Sequence, residues 1–158
     1  MEAFISALTD LADPTIRGSI FGKAVDVNYV SNLIQMASDA DLRIDAPSTS
    51  FSDEEMERRI DAADLVVLPY RDILNSGSAF LTLSRYRPIV APRLGALPEL
   101  QREVGTEWVY LFDGDFNATI LADAVRWYRS RRVSAKPDMS SYDWKRVSDD
   151  LDLLLDQI

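Results

Sequence analysis

Two hydrophobic spacings alternate along this chain, and each change of spacing marks a change of element. Phe4, Leu8 and Leu11 recur at helical intervals with Ile5 alongside, so residues 1–11 read as an amphipathic helix that begins without an N-cap and ends at Asp13-Pro14. Thr15 to Phe21 reads as a short strand closed by Gly22-Lys23. Helical spacing returns from Val25 to Ala40, with Tyr29, Leu33 and Met36 on one stripe and Val30 and Ile34 beside it. Asp41 to Ala46 is a brief strand, and Pro47 to Ser50 a polar loop. Ser52-Asp53-Glu54-Glu55 has the form of a capping box opening a short helix that turns Met56 and Ile60 inward.

From Asp64 onward the strands become fully apolar. Leu65 to Leu68 is too short and too uniformly apolar for an amphipathic helix, and Pro69 stops it, which describes a parallel strand covered on both faces. A polar loop leads to Ser76-Gly77-Ser78 and a helix through Arg85, then a second buried strand at Pro88 to Val90 and a glycine loop at Gly95. Pro98 opens a helix through Glu103. Trp108 to Phe112 is the last strand, Asp113-Gly114-Asp115 a turn, and residues 116–131 a helix burying Ile120, Leu121, Ala124, Val125 and Tyr128. Strands alternating with helices predict an α/β fold, a Rossmann-like parallel sheet with helices on both faces. Residues 1–133 form that domain; residues 134–158 are a linker and a terminal packing helix with Trp144, Val147, Leu151, Leu154 and Leu155 on one side.

Composition narrows the chemistry. The chain of 158 residues has no cysteine and no histidine, which removes disulfides, thiolate catalysis, histidine bases and nearly all zinc sites. A net charge of −9 repels nucleic acid. No apolar run approaches the roughly 20 residues of a membrane span, and the lack of cysteine suits a reducing cytoplasm, where the protein is expected. Yet Arg71, Arg85, Arg87 and Arg93 lie between Tyr70 and Arg93 with Asp72 as the single acid. That segment reads either as a cationic loop region for a phosphorylated small molecule or as ordinary solvated arginines.

Ligands of an open parallel sheet sit beyond the carboxyl ends of its strands, where Pro69 to Ser78 falls. The free N–H groups of a helix starting at Ser76-Gly77-Ser78 suit an anion; a plain helix cap is the other reading. Lys23 ends an early strand on the same predicted edge, as a phosphate contact or a solvated lysine, and Ser48 reads as a loop serine. Glu99 is a favourable charge in a first helical turn. Arg126, Arg129, Arg131 and Arg132 suit either anionic lipid or a solvated helix end.

The pattern resembles the C-terminal, donor-binding half of a GT-B glycosyltransferase of glycosyltransferase family 4. The residues that carry the likeness are Ala63-Asp64-Leu65-Val66-Val67-Leu68-Pro69-Tyr70, Ser76-Gly77-Ser78, Arg87-Pro88-Ile89-Val90-Ala91, Gly95-Ala96-Leu97-Pro98-Glu99, Phe112-Asp113-Gly114-Asp115 and Tyr142-Asp143-Trp144. It implies a nucleotide-activated sugar (GDP- or UDP-sugar) as donor, its diphosphate held by Asn75, Ser76, Gly77 and Ser78, with Lys23, Ser48 and Glu99 as further contacts. Arg71 would offset charge on the leaving diphosphate and Asp72 would do part of the work of the family's first acid, with no metal or other cofactor. The implied acceptor is a glycan or lipid-linked glycan held by another domain, at the inner face of a membrane.

Two departures accompany the likeness. The family's E-x7-E pair falls here on Ile73 and Leu81, so Asp72 is the remaining acid nearby. The family's first strand and its N-terminal acceptor domain have no counterpart in residues 1–158. The first strand is central in a doubly wound sheet, so either the two flanking strands close up or self-association or a partner domain fills its place. A non-catalytic nucleotide-binding or assembly module is the alternative function. A receiver domain fails for want of its acidic cluster, since Pro69-Tyr70 ends the strand where an aspartate would be needed.

Overall fold

A computed structural model describes residues 1–23, 26–39, 42–47, 49–70, 77–133 and 135–140. The described elements run α1 (Glu2–Leu11), β1 (Gly18–Phe21), α2 (Val27–Met36), a 3-10 turn, β2 (Leu42–Asp45), α3 (Asp53–Asp61), β3 (Val66–Val67), α4 (Gly77–Ser84), β4 (Ile89–Pro92), α5 (Leu97–Val104), β5 (Val109–Phe112) and α6 (Ala118–Ser130). The expected α/β alternation is present, and every strand pair is parallel. The described strands do not form one sheet. Among the described residues β1 pairs with β2 alone, and β3, β4 and β5 make a second sheet in that order.

Alternating side chains divide the helices into two layers. On the three-stranded sheet, Leu68, Ile89, Ala91, Val109 and Leu111 pack with Ala79 and Leu83 of α4 and Leu97, Leu100 and Val104 of α5. Val90 and Phe112 turn the other way, onto Ala7 and Leu8 of α1 and Leu121 and Ala124 of α6. On the two-stranded sheet, Ile20 packs with Ile5 of α1 and with Leu33 of α2 and Ala37. The opposite face meets α3, whose Arg59 stacks on Phe21 and Phe51 and pairs with Asp45. Helices α1, α2 and α6 thus line one face, and α3, α4 and α5 the other. α1 serves both sheets.

Element boundaries follow local chemistry. Ser52 accepts from the Glu55 amide while the Glu55 carboxylate accepts from the Ser52 amide, the reciprocal capping box expected for α3. α2 starts at Val27 because the Asp26 carboxylate accepts from the Asn28 and Tyr29 amides. α6 starts at Ala118 because Asn117 caps it through the Ile120 amide. The strand expected from Thr15 starts only at Gly18. The Asp13 carboxylate takes hydrogen bonds from the Thr15 amide and hydroxyl at 2.9 and 2.7 Å, which holds a turn there instead. The stripe expected on α2 is also corrected. Of its apolar residues only Leu33 is buried, and Val27 and Ile34 are 72% and 54% exposed, because a two-stranded sheet offers room for a single line of contact.

Candidate functional site at the carboxyl edge

β3, β4 and β5 run the same way, so the segments after them, beginning at Pro69, Arg93 and Asp113, leave from one edge of the sheet. The crossover helices α4 and α5 begin at that edge. Gly77 is the first residue of α4, and Gly77 and Ser78 are both exposed. A Cβ built on Gly77 would meet no described atom within 4 Å beyond its chain neighbours and the helix's own backbone, so there is open space beside its Cα.

What fixes the first turn of α4 is the packing behind it. Ala79 and Leu83 are completely buried against the sheet. Thr82 is the buried polar side chain among the described residues, and its hydroxyl donates to the Ser78 carbonyl at 2.6 Å. A hydroxyl inside the core is thereby satisfied while it braces the first turn from within. The sequence pattern had no signal for this role, because threonine in a helix is usually read as a weak helix former.

The other end of α4 is tied to α3. Arg85 makes a two-pronged ion pair with Asp61 and reaches Glu57 at 3.4 Å, and Arg87 donates to the Asp61 carbonyl at 2.6 Å. The hydrogen bond from Arg85 holds the Asp61 carboxyl below its ordinary range, against a smaller opposing effect of desolvation, and the same pair raises Arg85. At the carboxyl edge itself, Arg93 pairs with Asp113 at 3.3 Å while its amide donates to the Phe112 carbonyl at 2.8 Å. Three of the four arginines read as a possible cationic loop are therefore engaged with acids or carbonyls. Arg71 lies outside the described residues.

The remaining expected positions divide as follows. Gly77 and Ser78 stand together at the start of α4, and Glu99 is exposed in the first turn of α5, the helix that follows β4. Lys23 is exposed just past the end of β1, in the other sheet, and has no hydrogen bond or ion pair among the described residues. Arg71, Asp72, Asn75, Ser76 and Ser48 lie outside the described residues, as does the expected terminal helix over 141–158. Of the four arginines at 126, 129, 131 and 132, three have partners, and Arg132 is exposed. Arg126 pairs with Asp123, Arg129 donates to Thr15, and Arg131 stacks on Tyr128 and Trp108. Trp127 donates to the Thr106 carbonyl at 3.1 Å and packs on Tyr110, so it is a packing residue. No described helix is long and apolar enough to cross a membrane.

No family model matches the chain. Two curated proteins do, both described as GDP-mannose:glycolipid 4-beta-D-mannosyltransferase and both from Xanthomonas campestris pv. campestris. Each is 32% identical to it over 147 residues, which is 93% of this chain and 42% of the relative. The chain therefore spans less than half the length of the curated relatives it matches.

Proposed function

We propose, from the premise that this chain is a partial glycosyltransferase domain, that it binds the donor of a glycosyl transfer. The donor is a nucleotide sugar, GDP-mannose before UDP-sugars, and the acceptor is a glycolipid or other lipid-linked glycan. The single observation that carries this is the 32% identity over 147 residues to the two GDP-mannose:glycolipid transferases. The exposed Gly77 and Ser78 at the start of α4 support it, since the positive end of a helix dipole attracts phosphate.

In this reading the diphosphate lies against the amides of Ser76, Gly77 and Ser78, with Asn75 beside them. Arg71 offsets charge on the leaving group, and Asp72 stands where the family's acid pair is lost. Catalysis is then mainly electrostatic stabilisation of the departing diphosphate. Lys23, Ser48 and Glu99 are outlying donor contacts, and no metal is required. Acceptor binding falls to the part of the relatives that this chain does not cover, at the cytoplasmic face of a membrane.

Calorimetric titration of the chain with GDP, GDP-mannose, UDP and UDP-glucose tests the reading. The expected result is micromolar binding of the guanine nucleotides, weakened about tenfold or more by Gly77→Val. A Cβ at Gly77 has open space beside it, so the added bulk projects toward whatever approaches the start of α4. Binding of no nucleotide, or binding indifferent to Gly77→Val, would favour the non-catalytic module.

A further inference from the structure

We propose that residues 135–140 form a strap that rounds the amino edge of the three-stranded sheet and is latched to the end of α4 by the ring of Tyr86. The latch rests on contacts within this chain and holds whichever donor is bound.

The starting point is a backbone outlier. Tyr86, just past the end of α4, has φ 58°, in the left-handed region. Its amide donates to the Leu83 carbonyl at 2.9 Å, and the Arg87 amide donates to the Thr82 carbonyl at 3.1 Å. That paired closure ends a helix through one left-handed residue, a position usually given to glycine, which has no Cβ to clash. A bulky side chain there is strained, and such strain persists where the surroundings make use of it.

Core packing makes no use of this ring. Tyr86 is 46% exposed and lies outside the clusters of buried residues. Its contact is with Lys136, whose ammonium sits 4.1 Å from the ring centroid, within reach of the negative face of the ring. Glycine would close the same helix end without strain and would lose that contact. The ring is therefore what the strain secures.

Lys136 belongs to a segment that has changed layers. α6 packs with α1 on one face of the sheet. Just past its end, Arg131 stacks on Trp108 and donates to the Glu107 carbonyl at 3.3 Å, ahead of β5. Lys136 then reaches Tyr86, ahead of β4. Pro137 is buried, and Met139 packs against the cluster formed by α4, α5 and the opposite face of the sheet. The Asp138 carboxylate accepts from the Ser140 amide at 2.9 Å and turns the end of the strap. The chain thus passes from the layer of α6 to that of α4 and α5, and Tyr86 stands where it arrives. α4 has the candidate site at one end and this latch at the other. An exposed cation–π contact is weak, so the strap opens more readily than the core beneath it.

The chain has no cysteine, so Met139→Cys supplies a single thiol whose rate of labelling by a maleimide reports opening of the strap. In that parent, Tyr86→Gly and Lys136→Ala are each expected to speed labelling about threefold. Tyr86→Phe keeps the ring and should label at the parent rate. The urea midpoint of Tyr86→Gly should equal or exceed the parent's, because glycine relieves the left-handed strain. The proposal is overturned if Tyr86→Gly or Lys136→Ala labels at the parent rate, or if Tyr86→Phe labels as fast as Tyr86→Gly. It is equally overturned if Tyr86→Gly lowers the urea midpoint, which would make faster labelling a loosening of the whole fold. None of these readouts depends on nucleotide binding.

Discussion

The two sheets of this molecule are built from the same kind of unit and are finished to different degrees. In the three-stranded sheet, β4 has neighbours on both edges and helices on both faces, and its side chains are wholly enclosed. In the two-stranded sheet each strand has one neighbour, Ser19 is exposed, and α2 lays Val27 and Ile34 in water. The difference shows that enclosure of a parallel strand depends on flanking strands as much as on its own apolar sequence. Two isoleucines measure it. Ile89→Ala in β4 removes a side chain with 0% exposure and should cost about 4 kcal/mol, and Ile20→Ala in β1, at 7%, about 2 kcal/mol. Urea unfolding of both variants provides the comparison. Equal losses would mean that the smaller sheet is as tightly enclosed as the larger.

That contrast also explains what the sequence could and could not disclose. Leu65 to Leu68, Pro88 to Val90 and Trp108 to Phe112 lie in or beside strands, because unbroken apolar runs ended by proline or glycine have few alternatives. The capping box at Ser52 was legible for the same reason, its partners being three residues apart. Tyr29, Ile34 and Met36 misled because helical spacing reports an apolar stripe and not whether anything lies beneath it. The caps at Asp26 and Asn117 passed unnoticed, as did the Thr82 brace, since each depends on where the neighbouring turn begins. At the candidate site the start of α4 was legible from Ser-Gly-Ser. Its surroundings were not, because the partners of Arg85 and Arg87 lie in α3, distant in sequence.

α3 carries the chain from the smaller sheet to the larger, so its stability bears on both. Ser52→Ala removes the hydroxyl that receives the Glu55 amide at 3.2 Å and should cost about 1 kcal/mol. If the sheets unfold together, one denaturant transition shifts as a whole. If they do not, the shift appears only in the phase that reports β1 and β2, for example through exchange at Ile20, and leaves Val90 unchanged. The second outcome would turn a difference of enclosure into a difference of cooperativity.

The smallest effect concerns the tie between α3 and α4. Arg85 holds the Asp61 carboxyl below its ordinary value, near 4 in an unfolded chain. A depressed folded value means that the unfolded chain takes up a proton first as the pH falls. The contribution of Asp61 is therefore complete above the unfolded value and fades as pH drops through the folded one. The stability gap between the native chain and Asp61→Asn should hold constant from neutral pH to about 5 and close in more acidic solution. The pair is partly exposed, so the gap is modest and shrinks with added salt. A gap that persisted unchanged well below pH 3 would mean that the carboxylate's charge contributes nothing. The junction would then rest on the Arg87 hydrogen bond to the Asp61 carbonyl, which the substitution leaves in place.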